Sequence, residues 1–265
     1  MVYAMISVIE TVGRSALNSS RSFRQTATFT ARILLRLFAL RTYNSASRTV
    51  FINQFYFTAV QILPLFLIVA VIFGSLVNGM AFQAIKDLGL SDYLGRLLMG
   101  FVVTEVSPFV TVLLIALRSS SAINAEIAVM KVNHELYTLE SFGIDTLDYL
   151  FVPRILSGML TMVFLSSLFA LVVLAVGLLV SSVIFGTGVD AYLDTLLRSA
   201  SVLDMILVLL KSATFGFFIT LIPIGQGLNA SEDLTSVPVA VLNGMVKVFL
   251  AIVIIEVLSS VVRFI

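Results

Sequence analysis

The stretch RSSSAINAEIAVMKVNHELYTLESFGIDTLDYLFVPR, residues Arg118–Arg154, is a polar interruption between long apolar runs. It divides a chain of 265 residues that is 59% hydrophobic and 12% charged, with a mean hydropathy of +1.10. Soluble globular domains carry about 25% charged residues, so this composition excludes that class. We predict an all-α integral membrane protein in which Arg118–Arg154 is the main aqueous loop.

Apolar runs of membrane-spanning length flank this loop on both sides. A helix needs about 20 predominantly apolar residues to cross a bilayer. Two such runs precede the loop and three follow it, at about residues 60–80, 96–117, 155–186, 204–226 and 239–262. The sequence therefore predicts five membrane spans within a transmembrane domain over residues 49–265.

The basic residues indicate how the spans are oriented. Loops on the cytoplasmic side carry an excess of lysine and arginine. Placing the N-terminus inside puts ten basic residues there and four outside; the ten are Arg14, Arg21, Arg24, Arg32, Arg36, Arg41, Arg48, Arg118, Lys131 and Arg154, and the four are Lys86, Arg96, Arg198 and Arg263. We therefore predict a cytoplasmic N-terminus and a cytoplasmic loop over 118–154.

Residues 1–48 are predicted to form a cytoplasmic N-terminal region. Within it, the segment ARILLRLFAL at 31–40 places Arg32 and Arg36 four residues apart, with apolar side chains over much of the remaining surface. That pattern suits an amphipathic helix lying in the membrane interface. An ordinary helix packed on the bundle fits the same pattern equally well.

Two residue counts limit the chemistry of the chain. It contains no cysteine and one histidine. Disulfides and thiolate metal sites are therefore excluded, and no metal site is expected from a lone histidine. No acid, base and nucleophile occur at usable spacings, so we do not expect an enzyme.

A short helix is predicted inside the cytoplasmic loop, over about 134–142. Asn133 is a suitable N-cap, Glu135 lies in the first turn, and Gly143 suits the position after the C-cap. Leu136 and Leu139 would share one face, with Phe142 nearby. Such an apolar stripe can dock another protein. It can equally pack on its own bundle, and the spacing alone does not separate the two interpretations.

Glu105, Lys211 and Glu256 are charged residues that fall within the predicted spans. Glu105 in the second span should face the bundle interior, because a carboxylate at bilayer depth costs about 2.5–3.5 kcal/mol. Pro108 can kink the same helix. Glu105 and Glu256 are each either a polar point on a ligand path or a structural contact between spans, and we slightly favour the structural contact. For Lys211 we favour a side chain that extends to the outer interface over a head-group contact.

The loop and the span before it contain a series of motifs, namely Glu105-Val-Ser-Pro108, Arg118, Ala125-Glu126, Met130-Lys131-Val132, Gly143-Ile144-Asp145 and Tyr149-Leu-Phe-Val-Pro-Arg154. In its residues and in its spacing, which agrees without a gap, this series resembles the MlaE (YrbE) family of ABC-transporter permeases. Weaker matches extend it over about residues 50–260. Family sequences often carry an arginine before the glutamate of the second span, where this chain has Thr104. The segment NASEDLTSVP at 229–238 also departs from the family pattern.

The resemblance implies a homodimeric permease in the inner membrane of a bacterium that moves phospholipids or related lipids. Its partners would be cytoplasmic ABC ATPase subunits, a periplasmic MCE-domain carrier and, as a further candidate, a small cytoplasmic STAS-type protein. The chain has no G-x-x-x-x-G-K-[ST] loop, so ATP is expected on the partner subunit, with no cofactor and no catalytic residue in this chain.

The resemblance also assigns roles to particular residues. The short loop helix would be the coupling helix that docks on the ATPase, with the contact residues Glu126, Asn133, His134, Glu135, Leu136, Leu139, Glu140 and Phe142. The lipid pathway or the dimer seam would use Glu105, Pro108, Lys211 and Glu256. Two other functions remain open: a secondary transporter of a small hydrophobic solute, although no internal repeat is visible, and a membrane assembly scaffold that transports nothing.

Overall fold

Five long helices dominate the part of the chain that the computed structural model describes, which is residues 28–37, 45–87, 93–183, 186 and 188–264. Each is long and apolar enough to cross a membrane, and we call them spans 1 to 5: Ser45–Ala84, Leu94–Val132, Leu147–Val183, Val202–Leu228 and Ser236–Arg263. The predicted all-α membrane fold with five spans is confirmed. Residues 1–27 and 38–44 of the predicted N-terminal region lie outside the described residues.

The spans combine α-helical and π-helical segments. The α-helices are residues 28–37, Ser45–Phe55, Leu63–Asp87, Leu94–Leu97, Ser107–Ile115, Ser121–Val132, Glu135–Ser141, Val152–Val183, Val189–Ser199, Val202–Leu228 and Ser236–Phe264. The π-helical segments are Tyr56–Val60, Leu98–Val106, Ala116–Ser120 and Leu147–Phe151. π-Helical turns are rare and frequently occur at functional sites.

Span 2 continues well past its predicted end, so the predicted loop over 118–154 is too long. Residues 118–132 remain helical, and only 133–146 connect spans 2 and 3. Polar side chains within 118–132 form hydrogen bonds to other spans. Ser120 donates to the carbonyl oxygen of Ile219 at 2.6 Å, and Asn124 donates to the carbonyl oxygen of Ala240 at 3.0 Å. Interhelical hydrogen bonds of this kind explain why a polar sequence is not an aqueous loop here. We call this end of the bundle, at residues 133–146, the linker end.

The centre of the bundle is held by close packing between spans 3 and 4. A Cβ atom on Gly158 would lie 2.2 Å from the side chain of Thr220, and one on Gly216 would lie 2.6 Å from the carbonyl oxygen of Gly158. Small residues allow membrane helices to approach this closely. Beside this crossing, the hydroxyls of Ser166 and Ser212 are 2.7 Å apart. Spans 3 and 4 therefore form the closely packed middle of the fold.

A helix, Val189–Ser199, lies between spans 3 and 4, outside the five predicted spans. Its buried side chains are Tyr192 and Leu196, and the tyrosine hydroxyl donates to the carbonyl oxygen of Leu174 at 3.1 Å. Gly95 makes the close approach of span 2 possible, because a Cβ there would lie 2.3 Å from the carbonyl oxygen of Thr195. This helix covers the opposite end of the bundle from the linker.

The N-terminal helix over residues 28–37 packs on the linker end. Ile33 is fully buried in a cluster that includes Ile127 and Leu136. Leu34 and Leu35 remain exposed on another face. The helix thus packs on the bundle through one face, as the second interpretation predicted, and leaves apolar side chains on another face that suit a membrane interface.

Span 5 is the most peripheral of the five helices. It packs mainly on span 4 and on the last turns of span 2. In an apolar 18-residue segment of span 5, only 11% is buried inside the structure, compared with 50% in the corresponding segment of span 4. A broad apolar face of span 5 is therefore left for lipid or for another protein.

Candidate functional site

Five charged side chains from three spans lie close together in the bundle. Lys211 of span 4 forms ion pairs with Glu105 of span 2 and, at 3.0 Å, with Glu256 of span 5. Arg263 of span 5 lies 3.1 Å from Glu105 and 3.9 Å from Asp204. A single charge at bilayer depth costs about 2.5–3.5 kcal/mol even on insertion scales, so mutual pairing is what makes these residues tolerable in the spans. We call these five residues the charge cluster.

A cavity of about 490 Å³ lies against the charge cluster. Glu105, Lys211, Asp204 and Arg263 contribute charged groups to its wall. The rest of the wall is largely apolar and comes from spans 4 and 5, including Leu207, Val208, Leu210, Phe218, Ala251, Ile254, Ile255, Leu258 and Val262. Ligand sites typically measure about 300–1,000 Å³ and combine apolar walls with a few polar groups. The cavity can therefore hold an apolar chain that ends in a polar group.

Arg263 places a guanidinium beside Thr104, one of the positions at which the sequence departs from the resembled family pattern. At the position before Glu105, where family sequences often have arginine, this chain has Thr104. The guanidinium of Arg263 donates to the Thr104 hydroxyl, to the carbonyl oxygen of Gly100 and to Glu105. Sequence reasoning did not find this role. A signal was present, because Glu256 and Arg263 are seven residues apart and so lie on one face of span 5.

The four residues predicted for the lipid pathway do not all meet at this cavity. Glu105 and Lys211 line it, and Glu256 binds Lys211 from span 5. Pro108 is buried at the start of the α-helical segment Ser107–Ile115 of span 2, directly after the π-helical segment Leu98–Val106, and is not among the described residues that line the cavity. The favoured interpretation of Lys211 was wrong: its side chain is 4% exposed and bridges two carboxylates instead of extending to the interface.

The short helix predicted in the loop is present over Glu135–Ser141. Gly143 follows it with a φ of 77°, and the N–H groups of Gly143 and Ile144 donate to the carbonyl oxygens of Glu140 and Leu139 at 2.9 and 3.0 Å. These two bonds form a Schellman motif. The predicted position of Gly143 after the C-cap is therefore confirmed.

The predicted N-cap of this helix was one residue too early. Asn133 is instead the C-cap of the last helix of span 2, and its N–H donates to the carbonyl oxygen of Val129 at 2.9 Å. His134 takes the N-cap position with a left-handed φ of 58°, and its carbonyl oxygen accepts the first hydrogen bond of the helix, from Thr138. Histidine is one of the few residues other than glycine that populate this region.

The two faces of the short helix differ from the predicted apolar stripe. Leu136 is buried in the chain's own cluster, and Leu139 is partly buried, so the stripe mainly packs on the bundle. The side chains of Tyr137 and Phe142 are instead 72% and 78% exposed. Sequence reasoning missed Tyr137. Because both aromatic rings project away from the bundle, they are the apolar groups of this helix that a partner can reach.

Ion pairs and a lysine fix the linker end. Glu126 pairs with Arg154 within the helices that flank the linker. Lys131 donates to the carbonyl oxygens of Leu228 and Ala230 at 2.7 and 2.6 Å, and so satisfies the C-terminal end of span 4. Glu140 accepts a hydrogen bond from Thr146 at 3.1 Å. Glu135 is exposed and lies 3.3 Å from the Asn133 amide.

Arg36 of the N-terminal helix connects that helix to the linker. Its guanidinium pairs with Asp145 and, at 2.8 Å, with Asp148. Partial burial opposes ionisation of Asp145, but the hydrogen bond and positive charge of Arg36, together with the backbone N–H groups of Leu147 and Asp148, outweigh it and lower the pKa of the Asp145 carboxyl. The bond to Asp145 raises the pKa of Arg36. The short helix is therefore held from both sides by charged contacts.

Comparisons with known proteins agree with this architecture. The model of the permease MlaE family matches residues 51–262. The Arabidopsis thaliana chloroplastic protein TRIGALACTOSYLDIACYLGLYCEROL 1 is 31% identical over 185 residues, 65% of this chain and 52% of the relative. A protein of Synechocystis named as a probable ABC transporter permease is 30% identical over 164 residues, 62% of each chain.

A third relative is the intermembrane phospholipid transport system permease protein MlaE of Haemophilus influenzae. It is 32% identical over 118 residues, 44% of this chain and 45% of the relative. The chain thus spans about half the length of these relatives, between 45% and 62%. The family match includes parts of all five spans, the linker and the charge cluster except Arg263. The chain belongs to the MlaE permease family.

Proposed function

We propose that this chain is the membrane subunit of an ATP-driven lipid transporter. Two copies would form a homodimer in a bacterial inner membrane, with cytoplasmic ABC ATPase subunits at the linker end. The transporter would move phospholipids or related lipids between that membrane and a periplasmic MCE-domain carrier. For the carrier and for a STAS-type partner, the family resemblance is the only support.

The cavity beside the charge cluster is the observation that carries this proposal. Its largely apolar wall fits an acyl chain, and its charged residues offer partners to a polar head group. Glu105 is eleven residues from the start of span 2, about 16 Å along the helix from the end opposite the linker. With the linker in the cytoplasm, the cavity would lie in the outer half of the membrane, where a periplasmic carrier could receive the lipid.

The names of the relatives support a glycerolipid as the substrate. One relative is named for a phospholipid transport system and another for a galactolipid that contains diacylglycerol. The two named lipids differ in head group and share acyl chains on glycerol. An apolar cavity with a small charged wall fits that shared part better than it fits any one head group.

The short helix Glu135–Ser141 is the proposed contact with the ATPase. Exposed aromatic side chains are frequent anchors in protein interfaces, and Tyr137 and Phe142 provide two of them. Leu136 and Arg36 attach the same region to the bundle. A movement of the ATPase that displaces these rings would therefore also displace spans 2 and 3, to which the short helix is attached.

Purification of the full-length chain from its own membrane in mild detergent tests the proposal. Mass spectrometry of the complex should find an ATP-binding subunit, two copies of this chain and bound glycerolipid. Lipid movement should stop when hydrolysis by that subunit is blocked. Movement that continues without ATP would indicate a secondary transporter, and a complex with no lipid would indicate a scaffold.

The orientation can be tested separately because the chain has no cysteine. Single cysteines introduced at Phe142 and at Leu197, both exposed, would lie on opposite sides of the membrane. We expect a membrane-impermeant maleimide added to intact cells to label the cysteine at position 197 but not the one at 142. Labelling of position 142 alone would reverse the proposed orientation.

A further inference from the structure

A second, smaller cavity lies between spans 1 and 2, away from the charge cluster. Its volume is about 210 Å³, and its polar lining includes Gln54, Thr58, Gln61, Arg118 and Glu126. The proposed lipid cavity is formed by other residues, mainly of spans 4 and 5. The small cavity therefore needs an explanation of its own.

Two π-helical turns contribute residues to the walls of this cavity. Tyr56–Val60 belongs to span 1 and Ala116–Ser120 to span 2. Arg118, within the second turn, donates to the carbonyl oxygen of Phe57, within the first, at 3.3 Å. π-Helical turns interrupt regular helices and are frequent at functional sites. Here two of them meet around one guanidinium group.

The charges of this cavity leave one cation unbalanced. Glu126 is paired with Arg154, whose side chain is 7% exposed. Within the described part of the chain, Arg118 has no carboxylate within ion-pair distance, and its one hydrogen bond is to a neutral carbonyl oxygen. An arginine presents a planar set of donors that matches phosphate oxygens. The cavity is therefore suited to an anion.

The cavity lies at the level where a lipid phosphate would be found. The continuous apolar stretch of span 1 begins just after Gln61, and that of span 2 ends just before Arg118. Tyr56 is 53% exposed beside the cavity, as expected of a tyrosine at a membrane–water interface. Gln54 and Gln61 add amide donors, one of which reaches Thr58 at 3.0 Å.

We propose that Arg118, with Gln54 and Gln61, binds the phosphate of a glycerophospholipid at the linker end of the bundle. The phosphate group is the ligand that these side chains can recognise, and the membrane interface supplies it as a phosphodiester lipid. Only the place of this site in a transport cycle, as a first contact with lipid from the nearer leaflet, rests on the proposed function. Binding itself does not depend on an ATPase or a carrier.

The absence of tryptophan makes the test direct, because a Tyr56→Trp variant carries a single reporter. The full-length variant in dodecyl maltoside is titrated with dioctanoyl phosphatidylglycerol and, separately, with dioctanoylglycerol, which has the same chains without phosphate. We expect a saturable change in fluorescence and at least about tenfold tighter binding of the phospholipid. Equal binding of the two lipids, or no response to either, would overturn the proposal.

Variants and a competitor identify the group that binds. Arg118→Gln should remove the preference for the phospholipid, and Arg118→Lys should keep only part of it, because the charge remains but the planar set of donors is lost. Arg198→Gln, at a side chain 79% exposed on the helix between spans 3 and 4, is the matched control and should change nothing. An undiminished preference in Arg118→Gln would contradict the proposal. Displacement by millimolar inorganic phosphate would show a site for the free anion and not for a lipid.

The result can be separated from the test of the proposed function. If the phospholipid binds but no ATP-driven transfer occurs, the transport proposal fails and this site stands. If transfer occurs but the phospholipid shows no preference over dioctanoylglycerol, the site fails and the transport proposal stands.

Discussion

The charge cluster and the linker end both contain ion pairs, but the two regions use charge in different ways. In the cluster, the Lys211 side chain is 4% exposed and its two partners are 18% and 23% exposed. At the linker, Arg36 is 34% exposed and Asp145 47%. Buried pairs cannot be separated without leaving a charge in the membrane, whereas exposed pairs can exchange with water. The cluster therefore fixes the spans, and the linker pairs orient a surface.

The largest effect is expected from breaking the cluster at its centre. Lys211→Met leaves Glu105 and Glu256 without their shared cation. Removing one partner of a buried ion pair typically costs about 3–5 kcal/mol. We expect a large loss of folded protein and a clear fall in the free energy of unfolding, measured by titration of the detergent-solubilised chain with sodium dodecyl sulfate.

A double substitution serves as the control for this prediction. Glu105 keeps Arg263 as a partner, so Lys211→Met combined with Glu256→Gln removes one cation and one carboxylate together. We expect this variant to recover most of the lost stability. If Lys211→Met alone unfolds at the same denaturant fraction as the unmodified chain, the cluster has no structural role.

The second effect is at the linker end and concerns binding. Tyr137→Ser and Phe142→Ser each remove an exposed ring and should leave the stability of the chain within about 0.5 kcal/mol. Aromatic anchors of interfaces contribute about 2 kcal/mol or more, so each change should weaken ATPase binding roughly 30-fold. Surface plasmon resonance with the purified ATPase subunit measures the loss.

Leu136→Ala is the contrasting variant, because it should reduce stability. Unchanged affinity in the double aromatic variant would exclude these rings as the contact.

The third effect is smaller and depends on pH. The lowered pKa of Asp145 means that its ion pair with Arg36 persists at neutral pH and contributes stability above the ordinary carboxyl value of 3.8. That contribution is lost as the pH falls below this value, when the carboxylate takes up a proton. Hydrogen exchange of residues 135–148 should therefore show a loss of protection below about pH 4, after correction for the intrinsic rate. Arg36→Gln should show a smaller loss, because only the backbone hydrogen bonds from Leu147 and Asp148 to the carboxylate remain. An identical pH profile in both proteins would contradict the assignment.

The smallest effect is expected at the start of the short helix. His134 has a left-handed backbone, which glycine adopts without a steric penalty. His134→Gly should change stability by no more than about 1 kcal/mol, because relief of strain and the greater freedom of the unfolded chain oppose each other. His134→Val should destabilise the helix, because a β-branched residue is poorly tolerated at positive φ. Thermal unfolding of the two variants measures the difference, and a valine variant as stable as the glycine variant would contradict it.

The five spans could be predicted because each needs only an apolar run of sufficient length. Their ends could not, since Ser120 and Asn124 are polar in sequence yet bind carbonyl groups of other spans. The short helix was also predictable from local signals, with Gly143 as its stop. The left-handed turn at His134 shifted its start, because the end of span 2 extends through the N–H of Asn133.

The residues of the candidate site were predicted better than their contacts. Glu105, Lys211 and Glu256 stood out as charges in apolar runs, but their mutual pairing depends on how three spans pack. The side chain of Leu136 turned inward because the N-terminal helix and span 2 offer apolar partners such as Ile33 and Ile127. With Leu136 facing the bundle, the side chain of Tyr137 is left exposed. Helix periodicity cannot decide which face meets the bundle when both faces carry apolar residues.

We propose that the linker end binds the ATPase and that the cavity beside the charge cluster holds the lipid. The most direct test of this proposal uses the complete transporter in proteoliposomes. Lipid transfer to the purified carrier is followed with and without ATP, for the unmodified chain and for the double variant Tyr137→Ser, Phe142→Ser. The account predicts ATP-dependent transfer by the unmodified chain, and loss of transfer by the variant while lipid remains bound to it. Transfer that needs no ATP, or that continues undiminished in the variant, would contradict the account.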